Sequence, residues 1–385
     1  MYKIAALNKI SQKGLDRLTD QYTIVEDFGI ADGILVRSQE MNAMDLPAGL
    51  LAIARAGAGV NNIPVELCSK KGIVVFNTPG ANANAVKELV LTGLLLCARD
   101  VAGAMAWTRT LTCDVAKTVE KHKGQFAGHE IKGKTLGVVG LGAIGVMVAN
   151  AASALGMNVI GYDPYISIQS AHELSSSVKY TDSPDLLLPV CDYLTIHIPY
   201  MESTRGMIGA KQFAAMKNGV CILNFSRDEI VRGDDILIAI KSGKVRKYVT
   251  DFPTEAYLDH EDVMCIPHLG ASTRESEENC ARMAVDQLMD YLENGNIKNS
   301  VNYPDCHLGV CATTGRIAVL NRNIPAMLGK ITGILADMNI NISDLNNRSK
   351  GEYAYTLIDI DSVVDEAALR KALSVDGIIA VRVVK

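Results

Sequence analysis

The chain has 385 residues, of which 48% are hydrophobic and 21% charged, and its formal net charge is −5. These values are typical of a soluble globular protein with about two or three domains. They argue against nucleic acid as a partner, and the lack of a long apolar run or a signal-peptide pattern argues against a membrane partner. One basic cluster is interpreted as a solvated face: Lys117, Lys121, His122 and Lys123.

The nine cysteines are scattered and include no C-x-x-C pair. Cys306 and Cys311 flank His307, but no second cluster completes a metal site, so we expect no metal. Reduced, mostly buried thiols in a cytoplasmic protein are the simplest interpretation.

The N-terminal part alternates short apolar runs with helical stretches. Buried parallel strands are predicted at residues 3–7, 33–36, 51–54 and 73–76, and a helix is predicted at 11–18. A long apolar helix from Asn84 to about Asp100 leads into the next domain. We therefore predict an α/β substrate domain of the flavodoxin type, with residues 1–97 as its first part.

The next segment carries a glycine pattern between a strand and a helix. Residues 135–139 are predicted to form a buried strand, Gly140, Gly142 and Gly145 follow as G-x-G-x-x-G, and a helix opens at Ala143. Such a turn lets the backbone approach a pyrophosphate at the helix N-terminus. The next strand is predicted at residues 158–162, and Asp163 at its tip is an acid suited to the ribose hydroxyls of NAD. The pattern predicts NAD as cofactor; an ordinary β–α turn followed by a capping Asp is the alternative.

Further strands are predicted at residues 193–196, 220–223, 247–250 and 263–266, followed by a helix at 274–293. We predict a Rossmann-like domain at 98–280, inserted in the substrate domain, which residues 281–302 complete. The substrate is expected in a cleft between the two α/β units, at the carboxyl ends of strands.

The C-terminal part has a different order of elements. Residues 303–313 are predicted to be a linker, and residues 314–385 follow a β-α-β-β-α-β pattern typical of a ferredoxin-like domain, with its second strand at 342–346. This tail has no strong acid–base set, so it is interpreted as a binding or assembly module.

Polar side chains follow three successive strands of the Rossmann-like domain: Arg227, the acids Asp251 and Glu255, and His268. Oxidation of a secondary alcohol needs a base, and histidine suits this near pH 7. A carboxylate can fix the imidazole tautomer, and an arginine can bind a substrate carboxylate. Taken singly, each has a structural alternative as a loop histidine, a surface acid or a capping cation.

Five motifs occur in an order that resembles the D-isomer-specific 2-hydroxyacid dehydrogenase family. The resemblance covers nearly the whole chain, and it is strongest to the phosphoglycerate branch of the family with a C-terminal ACT domain. The motifs are RAGAGVNN at 55–62, NTPG at 77–80, GLGAIG at 140–145, NFSR at 224–227 and PHLGAST at 267–273. The resemblance implies NAD-dependent oxidation of 3-phospho-D-glycerate to 3-phosphohydroxypyruvate, the first step of L-serine biosynthesis.

The resemblance also assigns site residues. It makes His268 the acid/base paired with Glu255, and Arg227 the ligand of the substrate carboxylate. The implied cofactor-binding residues are Gly140, Gly142, Ala143, Ile144, Gly145, Asp163, His197, Pro199, Thr204, Ser226, Asp251 and Gly270. The implied substrate-binding residues are Arg37, Arg55, Ala56, Gly57, Ala58 and Gly80. Arg37 and Arg55 are the candidates for contact with a substrate phosphate, which needs charge-assisted donors; the alternative for Arg37 is an ordinary strand-end arginine.

Three positions depart from the family pattern. Asp228 replaces the usual Gly after the catalytic arginine, and Asn61 replaces a frequent Asp. Asp251 precedes Glu255 by four residues, whereas the family commonly has five between the nicotinamide-contacting Asp and the catalytic Glu. A one-residue deletion explains this spacing and puts the role of Asp251 in doubt.

In the tail, the ACT resemblance implies L-serine as an effector at Asn321, Asn323 and Asn341; the alternative is that these asparagines only cap and turn the chain. The family also implies a homodimer or homotetramer. Two other functions stay open: a dehydrogenase for another D-2-hydroxy acid, such as glycerate or lactate, and an NAD-sensing corepressor-like binding protein.

Overall fold

The computed structural model describes all 385 residues. The chain forms two compact units, one of Met1–Asn82 with Arg274–Lys385 and one of Ala83–Thr273. The second unit thus interrupts the first in the sequence, between residues 83 and 273, whereas the sequence predicts a Rossmann-like domain at 98–280.

The first 82 residues form a parallel sheet of five strands in the order β2-β1-β3-β4-β5. This is the flavodoxin-like order that the sequence predicts. The elements are β1 (Tyr2–Leu7), α1 (Gln12–Leu15), β2 (Tyr22–Val25), β3 (Gly33–Val36), β4 (Ala52–Arg55), α2 (Val65–Lys71) and β5 (Val74–Phe76). The central strands form because their apolar residues are buried on both faces, and Ile34, Leu35 and Ile53 have no exposed surface.

The second unit contains a parallel sheet of seven strands in the order β12-β11-β10-β9-β6-β7-β8. The chain enters the sheet at β6 and reverses direction between β6 and β9, which is the Rossmann arrangement. Its elements are α3 (Ala83–Ala98), α4 (Val101–Thr108), α5 (Val115–His122), β6 (Thr135–Val139), α6 (Ala143–Ala154), β7 (Asn158–Tyr162), α7 (Ile168–Glu173), β8 (Lys179–Thr181), α8 (Pro184–Leu187), β9 (Tyr193–Ile196), α9 (Ala210–Ala215), β10 (Val220–Asn224), α10 (Gly233–Lys241), β11 (Val245–Thr250), α11 (Glu255–Leu258) and β12 (Val263–Cys265).

The long helix α3 belongs to this second unit. Its residues Val90 and Leu94 are buried in one core with Val138 of β6 and Leu223 of β10. This packing explains why the boundary lies before the helix rather than at its end. No single helix meets the length and hydropathy needed to cross a membrane; α3 and α4 reach it only as a pair bent by 70°.

The C-terminal part of the first unit begins with the long helix α12 (Arg274–Asn294) and ends in an antiparallel sheet of four strands in the order β14-β15-β13-β16. This order is that of the ferredoxin-like domain. The remaining elements are β13 (Gly315–Arg322), α13 (Met327–Asp337), β14 (Ile342–Lys350), β15 (Tyr353–Ile360), α14 (Glu366–Ala372) and β16 (Ile378–Val383).

This sheet shares a hydrophobic core with the N-terminal part of its unit. Leu320 and Tyr355 of the sheet are buried in one cluster with Leu288 of α12 and Leu35 of β3. The predicted linker is packed as well, because Tyr303 is fully buried and its hydroxyl donates to the Ser69 carbonyl at 2.8 Å. The tail is therefore fused to the core of the first unit and is not joined to it by a free linker.

Candidate active site

The glycine turn after β6 has three glycines with three different steric roles. Gly140 has φ 92°, and a Cβ there would lie 2.6 Å from the His197 carbonyl oxygen. A Cβ on Gly145 would lie 1.9 Å from the Gly140 carbonyl oxygen, whereas a Cβ on Gly142 would have no neighbour within 4 Å. Gly140 and Gly145 are thus required by the fold, and Gly142 leaves open space at the start of α6, as pyrophosphate binding requires.

Asp163, at the end of β7, is held against this turn. Its Oδ2 accepts the Leu141 N–H at 2.8 Å, and its Oδ1 accepts the Tyr165 N–H at 2.8 Å. Each carboxylate oxygen keeps a second lone pair for a hydroxyl donor. The negative charge beside the turn suits a ribose diol and opposes a 2′-phosphate.

The loop after β9 carries His197, Pro199 and Thr204. His197 lies 2.9 Å from the Thr195 hydroxyl through Nε2, and its buried Nδ1 has no protein partner. Burial lowers the pKa of His197 to about 3, so the ring is neutral at physiological pH. The Thr204 hydroxyl donates to the Pro199 carbonyl at 2.9 Å and thereby fixes the loop.

The loop after β10 carries Ser226 and Arg227. The Ser226 hydroxyl donates to the Ile196 carbonyl at 2.6 Å, and Arg227 donates from Nη1 to the Ser226 carbonyl at 2.6 Å. Asn224 shapes this loop: its Nδ2 donates to the Arg227 carbonyl at 2.9 Å, and its Oδ1 accepts the Ser226 N–H at 3.2 Å. The sequence pattern predicts no separate role for Asn224 beyond its place in the NFSR motif, although an asparagine at a strand end is a turn signal.

Asp251 and His268 follow β11 and β12. Asp251 is 1% exposed; its Oδ2 accepts the Gly270 N–H at 3.2 Å, and its Oδ1 has no hydrogen-bond partner. Burial raises the pKa of Asp251, while the cationic forms of His268 and Arg227 lower it. Asp251 is therefore within electrostatic reach of both His268 and Arg227.

Glu255 lies differently from what the sequence predicts. It is the first residue of α11, its side chain is exposed, and no hydrogen bond joins it to His268. The ring that contacts His268 is that of Phe252, edge-on with the centroids 5.0 Å apart. The expected Glu255–His268 pair is thus not formed in this structure.

Asp228, which replaces the usual glycine, is half-buried in a 3₁₀ turn at Asp228–Ile230, with Oδ1 unpartnered. Burial, and then the charge of Glu229, raises the pKa of the Asp228 carboxyl. A carboxyl whose pKa is raised by folding destabilises the fold as pH rises through that pKa.

We therefore expect Asp228→Asn to raise Tm at pH 7 by more than it does at pH 4, because a larger share of the native carboxyl is protonated at the lower pH. Thermal unfolding followed by circular dichroism at both pH values checks this. An equal change at the two pH values would contradict the assigned cause.

The predicted substrate loops of the first unit are joined to each other. Thr78 donates its N–H to the Gly57 carbonyl at 3.1 Å, and Asn77 donates from Nδ2 to the Ala58 carbonyl at 2.6 Å. Gly57 leaves room for Arg55, since a Cβ there would lie 2.4 Å from the Arg55 Nη1. Ala56 is buried beside this contact, and Gly80 has φ 79° at the end of the second loop.

The two candidate phosphate-binding arginines are joined by a hydrogen bond. Arg37 forms an ion pair with Glu277 at 2.8 Å, and its carbonyl accepts the Arg55 Nε–H at 3.1 Å. A phosphate that bound Arg37 would have to compete with a carboxylate already in place.

The three candidate effector asparagines do not converge within one chain. Asn321 and Asn323 lie at the end of β13, where Arg322 pairs with Tyr353, whereas Asn341 precedes β14 at the opposite end, where Ile342 pairs with Ile360. The separation is about 25 Å, since a strand rises about 3.3 Å per residue. Their amides also have partners, because Asn323 donates to the Gly351 carbonyl and Asn341 to the Asp361 carboxylate.

Comparison with known proteins gives three kinds of match. The family model described as the NAD-binding domain of D-isomer specific 2-hydroxyacid dehydrogenases matches residues 91–270. A D-3-phosphoglycerate dehydrogenase of Haemophilus influenzae is 30% identical over 350 residues, which are 87% of this chain and 81% of that protein. One of Methanocaldococcus jannaschii is 36% identical over 291 residues, 73% of this chain and 54% of that protein, so the match spans about half of its length.

Among solved structures, NAD⁺-bound 3-phosphoglycerate dehydrogenase of Entamoeba histolytica is similar with a TM-score of 0.61 and 26% identity. The match covers 78% of this chain and 98% of that one.

Proposed function

Because this chain belongs to the D-isomer-specific 2-hydroxyacid dehydrogenase family, we propose that it oxidises 3-phospho-D-glycerate to 3-phosphohydroxypyruvate with NAD. The chain is an NAD-dependent oxidoreductase, and the proposal concerns the identity of its substrate. The observation that carries the substrate is the 30% identity to the Haemophilus enzyme over 87% of this chain, a match too long to arise from the dinucleotide domain alone.

The residues around the glycine turn fit NAD. The open space at Gly142 suits a pyrophosphate, whose charge the N-terminus of α6 favours. Asp163 provides acceptors for the ribose hydroxyls. The free Nδ1 of His197 is a further polar atom at this turn.

The reaction removes a proton and a hydride from the substrate alcohol. We propose that a ring nitrogen of His268 takes the hydroxyl proton, since an exposed imidazole can exchange it with solvent afterwards. NAD, when bound, accepts the hydride from C2. Arg227 binds the substrate carboxylate by exchanging its contact with the Ser226 carbonyl for a bidentate pair.

The substrate also carries a phosphate, which needs charge-assisted donors. We propose that Arg55, with the backbone of Ala56, Gly57, Ala58 and Gly80, binds the substrate. Arg37 is a second candidate for the phosphate, and binding there would have to displace its pair with Glu277.

Initial rates with NADH and a panel of keto acids test the proposal. We expect kcat/KM to be highest for 3-phosphohydroxypyruvate. Preference for an unphosphorylated acid such as hydroxypyruvate or pyruvate would favour another D-2-hydroxyacid dehydrogenase. NADH binding without turnover of any member would favour a corepressor-like protein that only senses the cofactor.

We further propose a cytoplasmic homo-oligomer that binds L-serine through its ferredoxin-like part. All nine cysteines are free thiols, as a reducing compartment allows. A serine site built from Asn321, Asn323 and Asn341 would need a second copy of the chain, because one copy holds them at opposite ends of its sheet. Rates with and without L-serine, together with the mass in solution, test both points.

A further inference from the structure

The sheet of the second unit has a cleft at the edge opposite the glycine turn. It lies where the parallel strands β6, β9, β10 and β11 begin, and its volume is about 140 Å³. The candidate active-site residues of this unit follow the carboxyl ends of strands in the same sheet. Because β6 and β10 have five residues each, the two edges are about 15 Å apart. We call this site the amino-end cleft; its basic and acidic residues are His129, Lys134, Asp192, Lys217 and Arg246.

Asp192 is the only acid in the lining of the amino-end cleft. Its Oδ2 accepts the Thr135 N–H at 2.8 Å, and its Oδ1 accepts from the Lys217 Nζ at 2.9 Å. Burial opposes ionisation of this carboxyl, but the Thr135 N–H and then Lys217 hold its pKa below the usual value. One carboxylate compensates one cation, so the charges of Lys134 and Arg246 remain.

Arg246 is a half-buried cation without an acidic partner. Its Nη1 donates to the Cys97 carbonyl at 3.1 Å, and its guanidinium forms no ion pair. Cys97 lies in the last turn of α3, where a carbonyl carries only a partial negative charge. A guanidinium has several N–H donors in a planar fork, so donors remain for an oxyanion.

Other basic residues increase the positive charge of the amino-end cleft. The Lys134 side chain is exposed and has no hydrogen-bond partner, and neither has the ring of His129. Lys244 lies beside the cleft, because its Nζ donates at 3.2 Å to the Oδ1 of Asn218, which lines it. A concave site lined by charges of one sign concentrates ions of the opposite sign.

The size of the amino-end cleft limits the class of anion. Pockets for drug-sized ligands have volumes of about 300–1,000 Å³, so a cleft of about 140 Å³ is too small for a nucleotide and suits an ion of a few atoms. An arginine fork together with lysine point charges is the usual donor set for a phosphate. A tetrahedral oxyanion also has enough oxygens to meet donors from three strand ends at once.

We propose that the amino-end cleft binds a small tetrahedral oxyanion between Lys134, Lys217 and Arg246, either inorganic phosphate or the phosphate group of a small phosphoester. Binding there does not depend on which hydroxy acid the protein oxidises, because the cleft lies at the other edge of the sheet. An anion that binds only the folded protein stabilises the second unit.

The first test is thermal unfolding of the full chain saturated with NADH. Inorganic phosphate at about ten times its Kd should raise Tm by about 3–5 °C over sodium chloride of equal ionic strength. Glycerol phosphate distinguishes the two sources of the anion. Equal affinity for the ester would show that an esterified phosphate enters the cleft, and a much weaker affinity would identify the free ion; either result retains the site.

Substitutions then locate the bound phosphate. The double variant Lys134→Gln/Lys217→Gln should weaken phosphate binding about tenfold or more, since two cations near the anion are lost. The matched control is Lys179→Gln/Lys211→Gln, which removes two exposed lysines of the same unit that have no side-chain partner and lie outside the cleft. It should bind phosphate as the unaltered protein does. Lys134→Gln alone repeats the test with the Lys217–Asp192 pair intact.

Asp192→Asn should have the opposite effect. The amide oxygen can still accept the Thr135 N–H, while a negative charge beside the anion is removed, so phosphate should bind about threefold to tenfold more tightly. Two results would overturn the proposal. One is a Tm that phosphate raises no more than chloride does. The other is a Lys134→Gln/Lys217→Gln variant that binds phosphate as tightly as its control, which would assign the binding to the substrate loops of the first unit.

Discussion

His268→Ala is expected to lower turnover of 3-phosphohydroxypyruvate with NADH by about 10²–10⁴-fold, the range that general acid–base catalysis contributes. The Kd for NADH should stay nearly unchanged. The proposed cofactor contacts are supplied by the turn at Gly140 and by Asp163, which are fixed by their own hydrogen bonds and steric contacts and not by the histidine.

The variant should also fold normally. The imidazole is exposed, its ring contact is with Phe252 alone, and the loop backbone is held independently by the bond from Gly270 to Asp251. Removing the imidazole therefore removes the proposed proton acceptor but few packing contacts. His260→Ala is the matched control, because His260 is an exposed histidine of the same unit with no side-chain partner.

Single-turnover rates and NADH fluorescence titrations separate the two effects. Turnover within tenfold of the unaltered protein would refute the role of His268 as acid/base. A parallel loss of NADH affinity would instead show that the histidine supports the cofactor site.

The sequence predicts best the parts of the fold that are buried on both sides. The strands Thr135–Val139, Asn158–Tyr162 and Tyr193–Ile196 have the bounds expected, because a central parallel strand is a continuous apolar run between polar ends. Edge strands are harder to predict from the sequence. Tyr22–Val25 was missed, since it pairs with β1 alone and its middle residues face solvent.

The strand Ile342–Lys350 extends past its predicted end at Asn346 for a similar reason. Its second half, with Arg348 and Lys350, is polar and resembles a loop, yet it pairs along its length with β15. Pairing with a neighbouring strand, and not the residues' own preference, decides such a segment.

The candidate site shows the same limit. Chain order is sufficient to predict that Arg227, Asp251 and His268 lie at successive strand ends, because the ends of parallel strands meet at one edge. It does not determine where Glu255 lies. In the structure Glu255 is exposed at the start of α11, without a hydrogen bond to His268.

Gly145→Ala is the substitution with the second large expected effect. It should lower the stability of the second unit because of the geometry of the glycine turn. The new methyl would lie 1.9 Å from the Gly140 carbonyl oxygen, a backbone atom that cannot rotate away. Overpacking costs about 1–3 kcal/mol, and a contact this short belongs at the upper end. We expect Tm of the second unit to fall by about 10 °C.

Gly142→Ala separates folding from cofactor binding within the same motif. Its methyl meets no protein atom within 4 Å, and its φ of −77° suits any residue. Its folding cost should be below about 1 kcal/mol, the loss of a weak helix cap. If the open space receives a pyrophosphate, NADH affinity should fall about tenfold or more, which is about 1.4 kcal/mol. Calorimetric titration with NADH and thermal unfolding of both variants provide the measurement. Full NADH affinity in Gly142→Ala would place the phosphates elsewhere and remove the turn from the cofactor site, since the methyl occupies the space that close backbone approach to a dinucleotide requires.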